Sequence, residues 1–327
     1  MSCGFYATVA MAPLAAKRGY GQKVTGQILG SRAFGRIEKL AEGVYALIST
    51  PFGAKGGAGD RRTHSNGGLI IGREEVLAID SYRTSAGANF LRDACIELTG
   101  RAPTLVVNTH FHFDHLGGTL GLLVGKTVPE VIMTETTRKL AFESYGKVED
   151  LKGEAFSQSL ITKWGGRFTD ASRIIENEEE TEQIDLGGRM VSLMPMKGHT
   201  GSDLVIRDDP SGVTFGGDLV WDGIFPNFMS STPSLWKAAV KRITGGERHL
   251  LVPGHGSVCQ NDSEEMTVLS ILMDEIEAHA RGAFEKGDSS DEAAASFKVS
   301  ESAGDWSYFR QGFHEIAMEA WYRELKG

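Results

Sequence analysis

Cysteine is scarce in this chain. Only Cys3, Cys95 and Cys259 occur in 327 residues. An odd, widely spaced set makes no disulfide framework, and no C-x-x-C pair is present to hold structural zinc. Long apolar runs are also missing: none approaches the ~18 residues that a membrane-spanning helix needs. Positive charge is in deficit, with 34 Lys and Arg against 43 Asp and Glu and a net charge of −9. Without a basic run, non-specific attraction to nucleic acid or to an anionic membrane surface is disfavoured. Two catalytic signatures are absent too. There is no G-x-S-x-G nucleophile elbow, and "GAKGGAG" at 53–59 lacks the GK[ST] ending of a phosphate loop. No repeat of fixed short period appears. The expected partner is a small molecule, with neither nucleic acid nor membrane.

What is present is ordinary globular material, 41% apolar and 24% charged. The length suits one large α/β domain or two modest ones. Residues 1–33 are Gly- and Ala-rich. Lys17 and Arg18 follow the mildly apolar start instead of preceding it, so this stretch reads as a flexible arm and not a secretion signal, and the expected location is cytoplasmic. Order is expected to begin near Ile37. Strands are predicted at 43–50, 69–72, 76–80, 104–110 and 129–134, then at 181–186, 189–196, 203–207, 212–216 and 249–256. Helices are predicted at 85–99, 135–164 and 233–244, and from Asp262 onward with a polar break near 287–291. The Gly-rich 51–68 segment reads as a loop, a lid bearing Lys55, Arg61 and Arg62 or a plain solvated connection. The two β-rich stretches can form the halves of one sandwich. The boundaries are an arm at 1–33, a catalytic domain at 34–261, and a helical extension at 262–327 that packs on the domain or makes a homo-oligomer contact.

The distinctive stretch is "NTHFHFDHLGG", residues 108–118. Its histidines at 110 and 112 lie two apart, so on extended backbone both imidazoles face the same way and Phe111 the other. Asp114 and His115 follow where a bend or helix start swings them to an adjacent point. Zinc takes imidazole nitrogen and carboxylate oxygen, so the stretch offers two neighbouring half-sites. Further donors stand at strand-to-loop junctions: His199 in "KGHTGSD", Asp218 in "TFGGDLV" and His255 in "LVPGHGS". His110, His112 and His199 are assigned to one metal and Asp114, His115 and His255 to a second, with Asp218 bridging. An isolated strand-end histidine is usually structural. A four-donor cluster packed this closely would be costly in an apolar core without a cation. His64, His249, His279 and His314 have no such context and read as surface or core residues, His64 being the one to watch.

The ordered set H-x-H-x-D-H, Gly-His-Thr, Gly-Asp and Gly-His-Gly resembles the metallo-β-lactamase superfamily over about residues 38–258. The resemblance implies a four-layer αβ/βα sandwich with metals at one edge. An aspartate at 218 is similar to glyoxalase II-like and lactonase-like hydrolases; the true β-lactamases typically lack it there, which leaves antibiotic hydrolysis as a main or side alternative. Lys197 stands where glyoxalase-type members usually have proline, and their basic glutathione-binding cluster is not evident.

The expected chemistry is a dinuclear hydrolase. Two Zn2+ ions, with iron or manganese as alternatives, share a water that ionises near neutral pH. The resulting hydroxide attacks an ester, lactone, thioester or amide carbonyl, one ion stabilising the developing negative charge. Asp218 fixes the separation, and Asp114 ligates and carries a proton to the leaving group. A mononuclear iron oxygenase on the same fold is the alternative from another class, and a metal-stabilised binding module without turnover is a third. Trp221, Ile224, Phe225, Phe228 and Met229, directly after Asp218, are expected either to bind an apolar substrate group or to cap the core. Tyr145 and Tyr308 are further hydrogen-bond donors whose place sequence does not fix.

Overall fold

The computed structural model describes residues 24–50, 62–122, 129–145, 172–308 and 312–327. Alternating apolar segments in the first half build an eight-stranded sheet in chain order: β1 (Gln27–Arg32), β2 (Gly35–Ala41), β3 (Val44–Ser49), β4 (Gly67–Ile71), β5 (Val76–Ile79), β6 (Leu105–Val107), β7 (Glu130–Thr134) and β8 (Arg173–Ile175). Pairing is antiparallel as far as β5 and parallel from β5 to β8. A crossover helix, α1 (Ser85–Thr99), joins β5 to β6. Its Thr84 side chain caps the first turn at Gly87 N, and Gly100 ends it in the left-handed region with its N–H on Ile96 O.

The second half supplies a six-stranded sheet from β9 (Glu182–Asp185), β10 (Met190–Met196), β11 (Asp203–Asp208), β12 (Thr214–Trp221), β13 (Leu250–His255) and β14 (Cys259–Gln260), in the order β14-β13-β12-β11-β10-β9. Only β12 and β13 run parallel. Val44, Ala46 and Ile48 of β3 share one core with Val191 and Leu193 of β10 and Phe215 of β12, which places that core between the sheets. The alternate residues Tyr45 and Leu47 pack with Phe90 and Leu91 of α1 on the other face. On the outer face of the second sheet lie α5 (Pro233–Thr244), α6 (Glu264–Lys286), α7 (Ser290–Ser296) and α8 (Phe313–Leu325). The layers are therefore helix, sheet, sheet, helix.

Two expectations need adjusting, and two fall partly outside the described residues. The predicted 1–33 arm contributes β1, whose approach is held by a buried carboxylate: Glu38 accepts from Thr25 N at 3.1 Å and Gly26 N at 2.9 Å while paired with Arg36. The strand predicted at 212–216 extends to Trp221 and takes Asp218 into it. Of the helix predicted at 135–164, α4 (Glu135–Tyr145) is present; 146–164 lies outside the described residues, as do Lys55 and Arg61 in the predicted 51–68 loop. Arg62 lies over the Phe34 ring at 4.3 Å.

Candidate metal centre

β6 ends at Val107, and the chain then delivers His110 and His112 before a single turn, α2 (Phe113–Leu116), redirects Asp114 and His115. His199 lies between β10 and β11, Asp218 within β12, and His255 at the end of β13. All seven donors meet where the two sheets share an edge, in two groups: His110, His112, His199 and Asp218, and then Asp114, His115 and His255. In the first group His112 Nδ1 is 3.2 Å from His110 Nε2 and 2.9 Å from His199 Nε2. Asp218 Oδ2 is 3.3 Å from His199 Nε2 and 3.8 Å from His110 Nε2. In the second, His255 Nε2 is 3.3 Å from Asp114 Oδ2, and His115 Nε2 is 3.9 Å from it. Asp218 turns its other oxygen here, with Oδ1 3.0 Å from His115 Nε2 and 3.3 Å from His255 Nε2.

Donor atoms bound at ~2.0–2.1 Å to a tetrahedral ion stand roughly 3.3–3.4 Å apart, so these spacings fit a cation in each group. The chemistry of the donors fits as well. His115 Nε2 and Asp218 Oδ1 are both buried and lie 3.0 Å apart without a hydrogen bond of good geometry between them. Such orphaned polar atoms are expensive in an interior.

Backbone irregularity aims the bridge. The β12–β13 register shifts on either side of Gly217, which sits at φ +51°, and the resulting bulge turns Asp218 toward the edge. Gly254 on β13 leaves the carboxylate its room: a Cβ there would fall 2.0 Å from Asp218 Oδ1.

A second set of contacts fixes the imidazoles. Asp80, at the end of β5 with φ +55°, accepts from His115 Nδ1 at 2.7 Å, Thr109 N at 2.8 Å and Thr109 Oγ1 at 2.9 Å. Thr109 Oγ1 lies 3.0 Å from His110 Nδ1, Ser230 Oγ 3.1 Å from His112 Nε2, and the His64 carbonyl accepts from His255 Nδ1 at 3.1 Å. Partners of this kind select the tautomer that presents the other nitrogen to an ion. Asp80, Thr109 and Ser230 were not singled out from sequence. The signal available was a carboxylate ending the strand next to the motif strand.

Electrostatics follow from burial and crowding. Burial holds His110 well below the usual imidazole range, assisted by His115, and pushes His112 down to about 3, assisted by His199. Burial is the largest influence on His115 and His255 and opposes their charge, but the carboxylates around them, Asp218 first, then Asp80 and Asp114 at His115 and Asp114 at His255, together outweigh it, holding His115 well above its usual value and His255 up at about 9. Burial likewise opposes ionisation of Asp114 and Asp218. The neighbouring imidazoles, His115 first for Asp114 and His255 first for Asp218, hold both well below the carboxylate range.

The apolar residues after Asp218 divide. Trp221, Ile224, Phe225 and Phe228 are buried in the outer core of the second sheet. Trp221 backs the centre, stacked 4.2 Å from His255 with Nε1 donating to Asp218 O. Met229 alone is exposed, at 51%. Tyr145 packs against Phe113 at 5.5 Å, and Tyr308 Oη is 3.0 Å from His314 Nε2. His249 and His279 bond the Glu247 and Ala293 carbonyls, the ordinary roles expected. His64 is near the centre, at φ +67° with its ring 5.9 Å from that of His255.

A family model described as the Metallo-beta-lactamase superfamily matches residues 60–255. Acyl-coenzyme A thioesterase MBLAC2 of Gallus gallus is 30% identical over 202 residues, 57% of this chain and 70% of that protein. Among solved structures, the metallo-beta-lactamase from Pontibacter korlensis aligns with a TM-score of 0.56 at 18% identity, over 73% of this chain and 99% of that one. The sec-alkylsulfatase Pisa1 from Pseudomonas sp. aligns with a TM-score of 0.64 at 16% identity, over 88% of this chain and 49% of that one. At those identities the solved structures speak to the fold alone.

Proposed function

Starting from the fact that this chain belongs to the metallo-beta-lactamase superfamily, we propose that it is a dinuclear metal-dependent hydrolase of thioesters or similarly activated esters. One observation carries the reading: Asp218 offers one carboxylate oxygen to each donor triad, 3.3 Å from His199 on one side and 3.0 Å from His115 on the other. A carboxylate serving a single ion would not need that orientation. His110, His112 and His199 would hold one ion and Asp114, His115 and His255 the other. Bound by these residues, divalent cations would supply a water acidic enough to ionise near neutral pH and positive charge to offset the negative charge developing on a carbonyl oxygen.

The chain's own residues do the rest. Asp218 sets the separation of the two triads. Asp80 and the His64 carbonyl keep Nε2 of His115 and His255 turned inward. Asp114, whose side chain at 18% exposure is the most open of the seven donors, carries the proton to the departing group. Trp221 and Trp236 exclude water behind His255 and His199. Zinc is the preferred metal for an imidazole-rich set, and iron or manganese accept the same donors. Thioesters come first because a relative at 30% identity is an acyl-coenzyme A thioesterase. The complete second triad argues against a mononuclear iron oxygenase.

The test is metal analysis by mass spectrometry, together with hydrolysis assays on acyl-coenzyme A thioesters, lactones, β-lactams, sulfate esters and phosphodiesters. Two zinc ions per chain and preferred thioester turnover are expected. His112→Ala and Asp114→Ala should each lose more than about 100-fold in kcat/KM, since removing even an outer partner costs 10–100-fold. One iron per chain, or full activity in either variant, would overturn the reading.

A further inference from the structure

Four of the five candidate imidazole ligands have their second nitrogen fixed, and one of those supports differs from the rest. Thr109, Asp80 and the His64 carbonyl belong to the first half of the chain. Ser230, 3.1 Å from His112 Nε2, belongs to the segment that enters α5. Nδ1 of His112 faces the other donors, so in the ligating tautomer Nε2 carries the hydrogen and donates it to Ser230 Oγ. Two residues on, Thr232 N donates to Gly198 O at 2.9 Å, beside His199 in the turn that carries it. One short segment therefore touches the supports of two of the three imidazoles in the first triad.

That segment is gripped from outside. The Arg323 guanidinium donates to Ser231 O at 3.1 Å, and Glu324 Oε2 accepts from Ser234 N at 3.1 Å. Both side chains come from the end of α8, about 70 residues past the last position matched by the family model. Packing follows the same path: Trp236 of α5 lies 4.9 Å from the His199 ring and shares a core with Trp321 of α8.

We propose that residues 230–234, clamped by Arg323 and Glu324 of the last helix, are the positioning device for the first donor triad, so that the C-terminal helix sets metal affinity. This rests on the metal-centre reading above, and its test reads metal binding, not turnover. Zinc affinity by chelator competition and the absorption spectrum of the cobalt-substituted protein would be measured on the full chain. Ser230→Ala should weaken zinc about tenfold or more and shift the cobalt bands, while Ser230→Thr, which keeps the hydroxyl, stays close to wild type. Arg323→Gln should weaken zinc about three- to fivefold, the scale of one hydrogen bond. The double variant should lose less than the two single losses combined, because Arg323 acts in part through the Ser230 contact. Tyr322→Phe removes an α8 bond to Asp288 O on a path that does not reach the site, and should bind as wild type does.

Wild-type affinity in Ser230→Ala or Arg323→Gln, failure of Ser230→Thr to restore binding, additive losses in the double variant, or an equal loss in Tyr322→Phe would each overturn the proposal while leaving the metal centre standing. A wild-type chain that binds no zinc and no cobalt removes both.

Discussion

Asp218 Oδ1 and Gly254 make the sharpest single-residue test. A methyl group at 254 would fall 2.0 Å from Asp218 Oδ1 and within 2.9 Å of the backbone at 217–218. Gly254→Ala should keep its far-ultraviolet circular dichroism and lose at least one of two zinc ions in metal analysis. Asp218→Asn, which keeps the shape and removes the charge, should also lose metal. It should release His115 and His255 toward ordinary imidazole values, since Asp218 is the foremost group raising both; histidine titration by NMR would follow this. The same charges give metal uptake a pH dependence. The His255 imidazole is held up at about 9 in the metal-free chain, and His115 is held well above its usual value, both by the neighbouring carboxylates. A proton on a donor nitrogen competes with the ion, so affinity should fall as pH drops below 9. The slope should be roughly one to two decades per pH unit, one for each proton displaced, measured by chelator competition between pH 6 and 9.

At the scale of elements, legibility tracked locality. The motif at 110–115 announces itself because its donors are consecutive on one bend, and His199, Asp218 and His255 because glycines mark their strand ends. Helix α1 was predicted at the residues where it forms, its apolar spacing and Gly100 stop being local properties. β2 was hidden because its sequence, GRIEKLA, carries charge at buried positions, and only the Arg36–Glu38 pair and two distant backbone donors make that burial tolerable. Asp80 was missed for a related reason. Its role depends on a left-handed backbone at a non-glycine residue and on partners about 30 positions away, neither of which leaves a local pattern. The loop after Asp218 is ambiguous in sequence because aromatic residues look alike whether they face a ligand or a helix; in the fold the Phe225 ring lies nearly parallel to that of Phe313 on α8. Asp80→Asn should keep the fold and lower zinc affinity about 10–100-fold, the usual effect of removing a ligand's outer partner.

At the scale of the whole molecule, the two halves are joined by the apolar layer between the sheets. Phe215 on β12, buried among residues of both halves, should cost about 3–5 kcal/mol when replaced by alanine, read as a lowered urea midpoint in the metal-free protein. The donors are divided across that same layer. Each triad takes two side chains from the loop after β6 and one from the second sheet, His199 in one case and His255 in the other. Neither half can therefore present a finished coordination shell while the halves are apart. An ion held there works as a latch that engages only after assembly, so loading should come last in maturation, and stripping the ions should loosen the seam between the halves before it unravels either one.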